Sequence, residues 1–203
     1  MFSYCNFFVK KFINPLFQSN SYIIYSKTNK IIAIIDPGET IIENINCKNI
    51  NIILTHEHVD HIYGLEQLCN SYSVTIFLSE KCHKNINDPK KNLSEYISNY
   101  KINKIIPKIS NIVKDYDTIK INNIDFKFYI TPGHSEGGIC IGFDKYIFTG
   151  DTFMGTSKII TNLPGGSKEH LKNTNIKLKS ILDHYEFIFP GHGDIYVKKN
   201  QNL

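Results

Sequence analysis

Four strand-like runs in this chain end abruptly at a turn, and each turn carries side chains able to bind a metal ion. "NIILT" runs into "HEHVDH", "FKFYI" into "TPGHS", "KYIFT" into "GD" and "FIFP" into "GHGD". A Gly or Pro-Gly at such a junction lets the backbone turn sharply and approach whatever the turn holds. Between His56 and His61 three histidines and two acids occupy six consecutive positions. That many ionisable groups in one place are costly to desolvate unless a cation compensates them. The fold must therefore bring several strand ends to one place.

The remaining pattern fits such a fold. Short β-branched runs recur at Ser21–Tyr25, Ile31–Ile35, Val74–Leu78 and Ile124–Ile130, and in "GICIGF" and "EFIFP", each bounded by Gly, Pro, Asn or Asp. "FKFYI" alternates as a half-buried strand does, whereas "IIAII" is apolar throughout, as a strand covered on both faces is. Helical stretches are expected in "HIYGLEQLCN", "SEKCHKNI", "NLSEYISNY" and "SKEHLKNTNIKLKSILDHY". The last carries Leu171, Ile176, Leu178, Ile181 and Leu182 at helical spacing and opens on Ser167 as its N-cap. "FSYCNFFVKKF" reads as an edge strand able to pair between subunits. With no linker or repeat in 203 residues, the expectation is one α/β domain over residues 1–203.

Composition excludes several classes. The five cysteines are scattered without a C-x-x-C pair, so they are expected as small core residues in a reducing compartment, not as a disulfide framework or a thiolate zinc site. No run has signal-peptide or membrane-span quality, which predicts a cytoplasmic protein with no membrane association. All 23 basic residues are lysine, dispersed among acids and Asn, and the net charge is +4. No nucleic-acid partner is expected from this, and no Arg fork is available to clamp a carboxylate or phosphate.

The metal-competent residues at the four turns are His56, His58, Asp60, His61, His134, Asp151 and His192. Five imidazoles and two carboxylates suit two ions better than one. Three histidines could fill one site and an Asp with two histidines the other. The second Asp would then bridge, and each ion would keep an open position, as catalytic sites do. Two ions about 3.5–4 Å apart can share a hydroxide and polarise a scissile bond.

These motifs resemble those of the metallo-β-lactamase fold superfamily. "THEHVDH" is similar to its T-H-x-H-x-D-H signature, "TPGHS", "FTGD" and "PGHG" to its later ligand motifs, and "QSNSYIIYSKTNKIIAIIDPGE" to its two opening strands and Asp-Pro-Gly turn. Within it, "GDTF" and "LPGG" resemble the small glyoxalase II-like (hydroxyacylglutathione hydrolase-like) enzymes. The resemblance implies a four-layer αβ/βα sandwich of two mixed β-sheets flanked by helices. It implies a first metal site of His56, His58 and His134 and a second of Asp60, His61 and His192. Asp151 would bridge them, and Asp60 would also orient the attacking hydroxide.

The implied cofactor is two divalent ions, zinc first, with iron or manganese as alternatives. The implied activity is metal-dependent hydrolysis of a small-molecule ester, thioester or lactone by a bridging hydroxide. The alternative is mononuclear-iron persulfide oxidation, with a phosphodiesterase or nuclease third. Three departures shape the expectation. The chain runs only to Leu203 after His192, so the helical domain with which glyoxalase II grips glutathione is not expected. Ile159 to Asn162 stand where close relatives carry G-R-T-D. Asp151 stands where common two-zinc β-lactamases carry Cys, which argues against antibiotic hydrolysis.

Overall fold

A computed structural model describes residues 2–4, 7–38, 48–100 and 109–198 of the chain. The first sheet holds seven strands side by side in chain order: β1 (Phe2–Tyr4), β2 (Phe7–Ile13), β3 (Asn20–Ser26), β4 (Ile31–Ile35), β5 (Asn49–Ile53), β6 (Ser73–Ser79) and β7 (Ile109–Val113). Pairing is antiparallel from β1 to β4 and parallel from β4 to β7. The second sheet has six, again in chain order: β8 (Thr118–Ile121), β9 (Ile124–Ile130), β10 (Ile139–Phe143), β11 (Tyr146–Gly150), β12 (Phe187–Pro190) and β13 (Tyr196–Val197). Its one parallel pair, β11 with β12, is the pair joined by a long helix, α4 (Lys168–Leu182). Parallel neighbours need such a crossover because a tight turn can only reverse the chain.

Both sheets are mixed, and three apolar layers hold them. Between the sheets, Tyr22, Ile24, Ile35 and Ile53 of the first meet Phe126, Phe128, Ile141, Phe148 and Phe189 of the second. Tyr22 stands edge-on to Phe189, with ring centroids 5.3 Å apart at 89°, the geometry aromatic quadrupoles favour. On the outer face of the first sheet, Ile23, Ile34, Ile52 and Ile76 pack under α1 (Val59–Ile62), α2 (Leu65–Ser71) and α3 (Glu80–Asn85), which contribute Ile62, Leu65, Leu68 and Cys82. On the outer face of the second, Tyr129, Cys140, Ile147 and Ile188 pack under Leu178 and Ile181 of α4. The four-layer sandwich follows from strands apolar on both faces. "IIAII" is β4, with Ile34 facing the helices and Ala33 and Ile35 facing the other sheet.

Some elements differ from the sequence reading. "NLSEYISNY" forms only a 3₁₀ turn at Ser94–Tyr96. Asn92 diverts the backbone: its Nδ2 donates to the Ile86 carbonyl (2.8 Å), its Oδ1 accepts from Ser94 N (2.9 Å), and Leu93 sits at φ +68°. Ile176 is 64% exposed, because the buried face of α4 is Thr174, Leu178 and Ile181. Ser167 does cap α4, accepting from His170 N at 3.2 Å. The "FFVKKFI" stretch is β2, paired within the chain to β1 on one side and β3 on the other. Cys82 and Cys140 are buried and Cys69 half-buried, all three as thiols; Cys5 and Cys47 lie outside the described residues. Among the described residues no helix is long and apolar enough to cross a membrane.

Candidate metal centre

Five strands end at one rim of the sandwich. After β5 the chain turns through Thr55, His56 and His58 into α1, which carries Asp60 and His61. His134 follows β9 by four residues, Asp151 follows β11 directly, and His192 lies just past β12. The fifth is β4, which delivers Asp36. Ligands gather at the carboxyl ends of parallel strands because connections leave the sheet there and open a crevice. Two glycines let the backbone come this close. A Cβ on Gly191 would lie 2.1 Å from Asp151 Oδ1, and one on Gly150, at φ +48°, would lie 2.4 Å from Thr55 Oγ1.

All seven residues anticipated from the sequence meet here. His56, His58 and His134 form one group whose ligand atoms lie within 4.8 Å of one another, and Asp60, His61 and His192 form another. His134 Nε2 is 2.9 Å from His58 Nδ1, and His61 Nε2 is 3.4 Å from His192 Nε2. Asp151 lies between the groups, its carboxylate 3.3 Å from His134 Nε2, 3.4 Å from His192 Nε2 and 3.5 Å from His61 Nε2. Asp60 Oδ2 is 3.3 Å from both His61 and His192 Nε2. His56 and His61 sit deepest, 2% and 0% exposed.

Asp36 was not among the anticipated residues; it read only as part of an Asp-Pro-Gly turn. It forms a third close group with His56 and His61, yet its oxygens are already spoken for. Oδ1 accepts from Thr55 N (2.7 Å), and Oδ2 accepts from Thr55 Oγ1 (2.5 Å) and from His61 Nδ1 (3.2 Å). Asp36 therefore aims donors. It stands at φ +48°, its carbonyl held by Ser21 Oγ at 2.5 Å. Each outer histidine likewise gives its Nδ1 proton to a carbonyl: His134 to Ile160 O (2.8 Å) and His192 to Phe17 O (3.1 Å). These bonds turn the Nε2 atoms inward, as a carbonyl or carboxylate on the far ring nitrogen does for metal-binding histidines. Glu57 joins none of the groups; its carboxylate accepts from Asn85 Nδ2 (3.1 Å) and Ser135 Oγ (3.3 Å). His83, His170 and His184 are exposed, and Tyr63 packs on Tyr100, centroids 4.6 Å apart.

The electrostatics of the cluster divide it in two. Burial and the neighbouring imidazoles hold His56 far below its ordinary value and bring His58 down to about 3, so both are neutral. Burial also opposes charge on His61 and His192. Asp60 and Asp151 overcome it, lifting His61 well above its usual range and His192 to about 9. In return, and again against burial, the two cations hold Asp60 well below the carboxylate range and Asp151 at about 2. Without an ion, two imidazolium protons supply the positive charge these carboxylates require. His56 Nε2 and Asp151 Oδ1 are buried with no hydrogen-bond partner. Buried polar atoms are left so only where something else satisfies them, and a nitrogen and oxygen donor set of this kind fits divalent zinc, iron or manganese.

The comparisons with known proteins point to one family. The sequence model of the metallo-beta-lactamase superfamily matches residues 14–192. A probable metallo-hydrolase of Streptococcus pyogenes is 30% identical over 96% of this chain and 88% of its own. A hydroxyacylglutathione hydrolase of Pelagibacter ubique is 30% identical over 94% of this chain and 72% of its own. In three dimensions the chain superposes on BLEG-1, a B3 metallo-beta-lactamase, with a TM-score of 0.79 at 24% identity, over 94% of both chains. From the first anticipated donor to the last, the region that builds the cluster is the region the family model covers, and the chain belongs to the metallo-beta-lactamase superfamily.

Proposed function

We propose that this chain is a dinuclear metal-dependent hydrolase of a small ester, thioester or lactone. The observation that carries the reading is the convergence of seven nitrogen and oxygen donors from four strand ends, with His56 Nε2 and Asp151 Oδ1 left without a hydrogen bond in the protein interior. His56, His58 and His134 would hold one ion, Asp60, His61 and His192 the other, and Asp151 would contact both. Bound there, divalent ions supply a water ionised near neutral pH and a Lewis acid for the scissile carbonyl. The remaining work belongs to the chain. Asp60, on the first turn of α1 and facing the cavity, orients the attacking hydroxide. The carbonyls of Phe17 and Ile160 and the carboxylate of Asp36 hold the imidazoles in register.

The test is metal content per chain after purification without chelator, followed by a panel of esters, thioesters and lactones. About two ions with turnover supports the proposal. About one iron with oxygen uptake on a persulfide, and no hydrolysis, overturns it in favour of redox chemistry. Asp60→Asn should lower kcat/KM by about 10²-fold, the scale of a misplaced reacting group, and deplete the second ion. Unchanged turnover in that variant would remove Asp60 from the mechanism.

A further inference from the structure

Five of the donors, His58, Asp60, His134, Asp151 and His192, open onto a cavity of about 800 Å³ whose remaining wall is mostly apolar. Phe17, Leu93, Tyr96, Ile97, Met154 and Ile160 face it. Among the described residues that line it, the charged or titratable groups are the donors themselves and two tyrosines; no lysine does, in a chain that disperses 23 of them. Phe17, Tyr96 and Ile160 leave 63%, 63% and 51% of their surface in solvent. Large apolar side chains left open around one concave site mark a place that an apolar ligand covers.

Two further features tie this wall to the donors. Phe17 and Leu93 are held at φ +53° and +68°, backbone that large side chains rarely adopt and that clusters at functional sites. The carbonyls that orient His192 and His134 belong to Phe17 and Ile160, whose own side chains form the wall. Whatever the cavity holds is thus placed in fixed register with the reacting atoms. A charged tail here would lose its water against Phe17 and Ile160 and, among the described residues that line the cavity, find no lysine to pair with.

We propose, resting on the hydrolase reading above, that the group attached to the scissile carbonyl is an uncharged apolar chain or ring, as in a medium-chain acyl ester or thioester, and that Phe17 and Ile160 set this preference. Calorimetric titration of the metal-loaded full chain with inert methyl ketones, 2-butanone to 2-decanone, tests it without turnover. Affinity should rise about three- to fourfold per methylene until the cavity is full, and the slope should fall in Ile160→Lys and Phe17→Ser. A flat wild-type series, or variants that keep both their ions and the wild-type slope, overturns the proposal. The wild-type series decides alone if a variant loses its ions.

A second arm compares p-nitrophenyl acyl esters with counterparts of equal length ending in a carboxylate. The apolar ester should be favoured at least about tenfold in kcat/KM, the scale on which one pocket contact discriminates, and Ile160→Lys should narrow the gap. Hydrolysis with no preference for length, or a preference for the carboxylate, sinks this inference and leaves the hydrolase reading intact. Length-dependent ketone binding with no ester, thioester or lactone turned over overturns the hydrolase reading, and with it the scissile carbonyl, and leaves only the apolar wall as a binding surface.

Discussion

Thr55 has one hydroxyl proton, and Asp36 takes it. That leaves Thr55 Oγ1 as an acceptor toward His56 Nδ1, 3.0 Å away, so Nδ1 carries the imidazole's proton and Nε2 turns its lone pair to the cluster. Asp36 thereby sets the orientation of two histidines, one directly and one through a neighbour. Asp36→Asn should weaken metal affinity by about 10–100-fold, the usual cost of losing such a partner, measured by competition with a chelating dye. His192 gives a second prediction. Its carboxylate neighbours raise its proton affinity to about 9, and an ion must displace that proton. Affinity of the Asp60, His61 and His192 group should therefore climb from pH 6 to about 9. Proton release on loading should appear in calorimetry as an enthalpy that changes with the buffer.

The same raised value has a consequence for the metal-free protein. The stability His192 contributes is fully present below its unfolded value, about 6.5, and is lost as the pH rises through about 9. At the acid end the signs reverse. Asp151 is depressed to about 2, so its contribution is present above the unfolded value near 3.9 and is lost as the pH falls toward 2.

At the scale of elements, α4 depends on its first turn. Ser167→Ala removes the cap on His170 N and should cost about 1 kcal/mol. That is a melting shift of about 2–4 °C for a chain of this size, with metal content unchanged because no donor sits on the helix. Gly191→Ala should do the opposite, disturbing metal content more than melting, since its Cβ would press on Asp151 Oδ1 and His61 Cε1, 2.1 and 2.8 Å away.

Which elements could be read from the sequence follows the same physics. β3, β4, β5, β6, β9, β10, β11 and β12 are β-branched or aromatic runs because they are covered, and they show as such. β7 and β8 are outer strands carrying Ser, Asn, Thr and Lys, so their apolar signal is dilute. The seven donors were legible because they fall in turn motifs next to such runs. Asp36 and Thr55 were not, because a hydrogen-bonded Asp in a turn has the same local sequence whether it aims a ligand or closes a loop.

For the whole molecule, the decisive fact is that both sheets contribute to the cluster. His56, His58, Asp60 and His61 come from the first, and His134, Asp151 and His192 from the second. Ions held by both would join the layers beyond what Tyr22, Phe148 and Phe189 achieve by packing. Because they would favour the native state, metal at 100 times its dissociation constant should add about 2.7 kcal/mol per site. Scanning calorimetry with and without chelator should show the chelated form melting lower; identical curves would mean the cluster holds no ion in solution.

The spacing of the donors also bears on how the protein is made. His61 and His192, 3.4 Å apart in the fold, are separated by 131 positions in the chain. At about 5–20 residues per second, a ribosome releases the first roughly 7–26 seconds before the second. During that interval "HEHVDH" has at most two of its three partner donors, His134 and Asp151. Of the two groups only that of Asp60, His61 and His192 waits on β12, so an ion held there would be chosen by the folded rim and not by the nascent chain.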